Sequence, residues 1–283
     1  MTSRPFSFPS GEGLPIRGDL HSPGRPGAPV IVCIHGFKGF KDWGFWPHAA
    51  SRLREAGYGV VRFNFSHSGI GADLETLSEV GLFESGTYTR EVEDLREVLS
   101  RLAEGRLPGF EGLDPSRVGL LAHSRGSVSA LAVAASGKPP VQSVVLWNPV
   151  SSVLWWDEET RQRWRETGLW ETVNSRTGQV FRMTTALLDD AEQNRDRLHP
   201  AVNAGRLRVP VLAVVAAQDE TVPPAAGLRI ASAAGVRGSV HGIAATGHTF
   251  GSAHPFPGTT PALEEAIRVT REHFDRTIAA AAP

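Results

Sequence analysis

The 283 residues contain one cysteine, Cys33, so no intramolecular disulfide can form and folding does not require an oxidising compartment. An excess of one charge is missing too. Basic and acidic residues number 29 and 30, a formal net charge of -1, which argues against a nucleic-acid or anionic-membrane partner. No apolar run reaches the roughly 18 to 20 residues of a membrane span, and Met1 to Ser7 has no apolar stretch of signal-peptide length. A soluble, cytoplasmic protein is expected. There is no H-E-x-x-H and no cysteine cluster to hold a metal. Gly69-Ile70-Gly71 and Gly11-Glu12-Gly13 lack the third glycine of a dinucleotide fingerprint, and no G-x-x-x-x-G-K-[ST] occurs. Neither a metal nor an organic cofactor is therefore expected. Repeats and low-complexity tracts are absent, apart from a short alanine-rich tail expected to fray.

What is present alternates. Pro5 to Phe8 and Leu14 to His21 are short runs broken by Gly and Pro, as suits antiparallel edge strands. From Pro29 the pattern changes to continuous apolar runs, the mark of strands covered on both faces: Val30 to Ile34, Gly59 to Phe65, Arg117 to Ala122, Gln142 to Trp147, Val209 to Ala217 and, more weakly, Ser239 to Ala244. Cys33 lies within the first of these and reads as a small core residue. Helices fill the intervals. Pro47 to Ala56 stops at Gly57, Tyr88 to Ala103 places Val92, Leu95, Val98, Leu99 and Leu102 on one face, a third begins after Ser124, and Pro261 to Ala279 closes the chain. Strands alternating with helices imply a doubly wound α/β domain, a mostly parallel sheet with helices on both faces. One domain is expected over residues 1–283. Between Trp147 and Val209 the connection is far longer than a βα loop and carries Trp155, Trp156, Trp164 and Trp170; residues 151–206 are expected to form a largely helical cap, with these tryptophans as candidate pocket residues.

The chemistry gathers at strand ends. Ala122-His123-Ser124-Arg125-Gly126 sets a serine at the abrupt end of a buried strand, with small residues two before and two after it, where a strained strand-to-helix turn needs them. A serine there also suits an ordinary helix N-cap. The rest of the order decides between these readings. Asp219 follows the Val209 to Ala217 strand and His248 follows the next one, just beyond the carboxyl ends where open parallel sheets build their sites. Serine, acid and histidine in that sequence predict Ser124 as nucleophile, His248 as general base and Asp219 as the acid orienting it. Glu220 reads as a solvated turn residue. Asn148, where an alternative acid would stand, cannot stabilise an imidazolium as an anion does. His254, in Ala253-His254-Pro255, reads as an outer loop residue, and Ser66-His67-Ser68-Gly69 as a pocket-wall loop, since adjacent side chains point apart. Backbone N–H groups of Phe37, in the His35-Gly36-Phe37 turn, and of Arg125, at a helix start, are the candidate oxyanion donors. His35 is expected to organise its loop.

His35-Gly36-Phe37, Val61-Arg62-Phe63-Asn64-Phe65, His123-Ser124-Arg125-Gly126, Asp219 with Val222-Pro223, and Gly247-His248 together resemble the α/β-hydrolase superfamily over nearly the whole chain. More narrowly they look like small bacterial esterases related to cinnamoyl or feruloyl esterases, dienelactone hydrolases and prolyl oligopeptidase catalytic domains. The resemblance implies an eight-stranded sheet whose second strand is antiparallel to the rest, and a serine esterase acting on a small-molecule ester through an acyl-enzyme. The alternatives are a peptidase or amidase on the same three residues, or a binding module without catalysis. Two departures stand out: Ala122 replaces the usual glycine, and Ser66-His67-Ser68-Gly69 stands where many relatives have an Arg-Gly-His-Gly type loop.

Overall fold

The computed structural model describes residues 3–73, 76–174 and 177–279; the end of the alanine-rich tail lies outside them. In chain order the elements are β1 (Ser3–Pro9), β2 (Pro15–His21), β3 (Ala28–Ile34), α1 (Trp46–Glu55), β4 (Gly59–Asn64), α2 (Val80–Glu84), α3 (Tyr88–Ala103), β5 (Leu113–His123), α4 (Gly126–Ser136) and β6 (Ser143–Trp147). After them come α5 (Glu158–Thr167), β7 (Leu169–Val173), β8 (Val180–Thr184), α6 (Thr185–Gln193), α7 (Arg195–Leu198), α8 (Pro200–Arg206), β9 (Val211–Ala216), α9 (Ala225–Ala233), β10 (Gly238–Ile243) and α10 (Pro261–Phe274).

Eight strands form one sheet in the order β1-β2-β4-β3-β5-β6-β9-β10. β2 runs antiparallel to both its neighbours and the pairs from β4 to β10 are parallel. The continuous apolar runs explain the middle of the sheet: β3, β4, β6 and β9 are buried at every residue, because helices cover both faces. At the edge the pattern drops to period two, and Phe6, Phe8, Ile16, Gly18 and Leu20 are the buried positions of β1 and β2.

Local signals set the helices. Thr87 caps α3 by accepting from the Arg90 N–H at 3.2 Å, and Thr260 caps α10 by accepting from Leu263 at 3.0 Å, with Pro261 in the first turn. α1 and α10 seat Leu53, Leu263 and Ile267 on one face of the sheet, around a parallel stack of Trp46 on Trp147 at 5.9 Å. α3, α4 and α9 bring Leu95, Leu131 and Ile230 to the other face.

The long connection between β6 and β9 is not helical throughout. Besides α5 to α8 it contains an antiparallel hairpin of β7 on β8, an element that the helical expectation for residues 151–206 left out. The period-two signal is weak in β7, which alternates only between half-buried and exposed positions, while the five residues of β8 bury Phe181 and Met183 alone. α6 packs on α3, and α8 packs between α4 and α9, so the end of the expected cap belongs to the helix layer on the sheet. Ser175 and Arg176, within the same expected segment, lie outside the described residues. Among the described residues no helix is long and apolar enough to cross a membrane.

Candidate active site

Ser124 lies in the turn from β5 into α4 with φ +53°, the left-handed region that a non-glycine residue rarely adopts, and its N–H is held by the Trp147 carbonyl at 2.9 Å. The crowding around this turn explains its small neighbours. A Cβ added to Gly126 would meet the carbonyl oxygens of His35 and Ile34 at 2.6 and 2.9 Å, and Ala122 is fully buried. The loop after β3 runs directly against the same turn: a Cβ on Gly36 would lie 3.0 Å from Ser124 Cβ and 3.5 Å from the Arg125 nitrogen. Phe37 and Arg125 are thereby brought to either side of Ser124.

Asp219 and His248 come together from the ends of β9 and β10. His248 Nδ1 is 2.7 Å from Asp219 Oδ2, while Asp219 Oδ1 accepts the N–H groups of Thr221 and Val222 at 2.9 and 2.8 Å. Burial opposes ionisation of this carboxyl, but the His248 hydrogen bond and the two backbone donors outweigh it and hold its pKa below the ordinary carboxylate value. Glu220 is exposed. His248 and Ser124 line the same two cavities.

Asn148, set aside above as an alternative acid, and His123 hold the histidine by its backbone. Asn148, with φ +46°, donates from Nδ2 to the His248 carbonyl at 2.7 Å and accepts the Ala216 N–H on Oδ1 at 2.7 Å. His123 Nε2 lies 3.0 Å from that same carbonyl; burial drops its pKa to about 3, so the ring is neutral and Nε2–H donates. Burial likewise lowers His35 to about 4, and the neutral ring donates from Nδ1 to the Gly36 carbonyl at 2.9 Å. Burial raises the Cys33 thiol to about 12, which leaves it inert at neutral pH.

The Arg125 side chain turns behind the site, where Glu91 of α3 pairs with it at 3.0 Å. Its guanidinium lies over the rings of Tyr88 at 4.3 Å and Phe37 at 5.1 Å, linking the two residues that flank Ser124. His67 and Ser68 line a small cavity together with Phe37, and Ser66, buried next to them, gives its N–H at 2.7 Å and its hydroxyl at 2.8 Å to Asp94.

The four tryptophans of the β6–β9 connection pack together but divide into two pairs. Trp164 is 1% exposed and donates to the Met183 carbonyl at 3.0 Å, and Trp156 is buried beside it. Trp155, 55% exposed, and Trp170 line a cavity of about 430 Å³ next to Ser124, together with Phe37, Tyr88, Val222 and Pro223. A second cavity of about 440 Å³ opens on the other side of Ser124, walled by Trp43, Asn174, Ser252 and His254. His254 is thus not an outer loop residue: it accepts the Gly44 N–H at 3.1 Å, and Phe40 meets its ring edge-on at 4.9 Å. The sequence marked its Pro-flanked loop but not the fold-back that carries it inward. Lys38, Trp43 and Asn174 carried no sequence signal beyond the neighbouring His35-Gly36-Phe37 turn, because they meet Ser124 only through loops and the β7–β8 hairpin.

Residues 31–259 match the model of the alpha/beta hydrolase family, and the chain belongs to that family. No curated protein sequence matches it significantly. Among solved structures it is similar to the alpha/beta hydrolase GrgF from Penicillium sp. sh18, with 17% identity, a TM-score of 0.76, and 99% of this chain and 100% of that one covered. It is also similar to Est1E from Butyrivibrio proteoclasticus, with 16% identity, a TM-score of 0.68 and coverages of 97% and 99%. A third likeness is the esterase domain of a Rhodothermus marinus protein, with 19% identity, a TM-score of 0.65 and coverages of 98% and 100%. At these identities the likeness concerns the fold.

Proposed function

We propose that the protein is a serine hydrolase that cleaves carboxylic esters through an acyl-enzyme, as one domain with a cap over its site. The observation that carries this reading is the 2.7 Å contact of His248 with a buried, hydrogen-bonded Asp219, in the same cavities as a serine held at φ +53°. Ser124 Oγ attacks the ester carbonyl as His248 Nε2 takes its proton; Asp219 fixes the ring and stabilises the imidazolium. The N–H groups of Phe37 and Arg125 receive the developing oxyanion. His248 then gives the proton to the departing alkoxide, and a water activated by the same ring releases the acid. The aromatic wall of Trp155, Trp170 and Tyr88 suits compact or flat apolar groups better than long flexible chains. The names of similar proteins, an esterase domain among them, agree with an ester substrate.

Fluorophosphonate labelling of Ser124 and turnover of p-nitrophenyl esters test the assignment. In Ser124→Ala, labelling should vanish and kcat should fall by about 10⁴-fold or more. Retention of more than about a tenth of wild-type activity, against the loss usual for a triad serine, would overturn it. Aminoacyl anilides assayed in parallel separate an esterase from an amidase.

A further inference from the structure

The two cavities beside Ser124 share a wall residue, Lys38, and among their lining side chains there are two cations, Lys38 and Arg125, and no carboxylate. The charges of the two cations are balanced differently. Arg125 has Glu91 behind it. Lys38 is half-buried, and its ammonium donates to two neutral acceptors on β7, the Thr172 hydroxyl at 2.7 Å and the Val173 carbonyl at 2.6 Å. No ion pair forms at Lys38 among the described residues, whereas Lys41, three positions on and deeper, is paired with both Asp19 and Asp42. A partly desolvated charge without a counterion is costly, and this one keeps a third N–H proton for a further acceptor. Burial also lowers its pKa, as expected where no anion offsets the lost hydration.

Resting on the reading of Ser124 as an esterase nucleophile, we infer that the substrate is an anionic ester, one whose acyl or alcohol half carries a carboxylate that pairs with Lys38. Lys38 sits where the two cavities meet, so it reaches a charge on either half, while the opposite half occupies the aromatic cavity or the one walled by Trp43 and Asn174.

Two matched pairs of esters test this on the full-length enzyme: ethyl hydrogen glutarate against ethyl pentanoate places the charge on the acyl side, and para-carboxyphenyl butyrate against para-acetylphenyl butyrate on the alcohol side. In one pair kcat/KM should favour the anion by about tenfold or more, the low end of what one charge-assisted hydrogen bond gives. Added salt should shrink that preference. Lys38→Met should bring the ratio close to one whatever happens to the absolute rates, and Lys38→Arg should keep most of it. Lys38→Gln replaces the methionine variant if that one does not fold. Absence of an anion preference in both pairs, or a preference unchanged in Lys38→Met, would overturn the inference while turnover of the neutral esters keeps the esterase reading. No turnover of any ester, together with no fluorophosphonate labelling, would remove both.

Discussion

Asp219 and Glu220 are neighbours with opposite fates. Asp219 reaches His248 and two backbone donors from inside the turn, while Glu220 is exposed beside it. Asp219→Asn should therefore lower kcat by several orders of magnitude, about 10⁴-fold where such an aspartate has been replaced, while Glu220→Gln should leave kcat nearly unchanged; steady-state kinetics on one activated ester would show the ranking. Glu91 offers a different test. Burial, against the pull of Arg125, raises its pKa to about 7 from an ordinary 4.5. A carboxyl whose folded pKa is raised contributes stability below its unfolded pKa and loses it as pH rises through the folded value. Relative to wild type, Glu91→Gln should thus gain a few degrees in Tm on going from pH 5 to pH 8, a rough scale for a change of one or two kcal/mol. A difference that does not vary with pH would place the charge in water.

Among elements, the connection between β6 and β9 holds the division of labour. Trp164 is sealed between α5 and the hairpin with its indole N–H on the Met183 carbonyl, so Trp164→Ala should cost about 3 to 5 kcal/mol and lower Tm without changing the ratio of kcat/KM between short-chain, aryl and long-chain esters. Trp155 and Trp170 face the cavity, and replacing either by alanine should change that ratio. Equal ratios in all three variants would make these indoles structural. The hairpin is also the element hardest to read in the sequence. Leu169-Trp170-Glu171-Thr172-Val173 buries no residue fully, because one face meets the Lys38 loop and the other water. Only Phe181 and Met183 of β8 are buried, and two alternating positions are too few to mark a strand.

The whole molecule keeps several histidines neutral by burial: His21, His35 and His273 fall to about 4, and His123 to about 3, from 6.5. A base with a depressed folded pKa contributes stability above its unfolded pKa and loses it as pH falls towards the folded one. Glu91 and Asp94, the latter raised to about 6, act in the opposite sense between 4.5 or 3.8 and their folded values. Four histidines outweigh two carboxyls. Tm should be highest near neutrality and should fall steadily from pH 6.5 to pH 4.5; a rise over that interval would contradict the burial of the imidazoles.

The strand runs, the helix ends and the order of Ser124, Asp219 and His248 were set by local rules. Apolar stretches report burial on both faces, caps and glycines report helix ends, and the family's sites lie at strand carboxyl ends. The eight-stranded sheet with its second strand reversed came by resemblance, and the structure has it. Other features depend on segments far apart in the chain. His254 comes to Phe40 and Gly44, Asn148 comes to the His248 carbonyl, and Lys38 comes to Thr172 only after the sheet has closed and the hairpin has folded over it. None of these pairs shares a period, a cap or a turn, so these parts of the cavity walls were decided by tertiary packing.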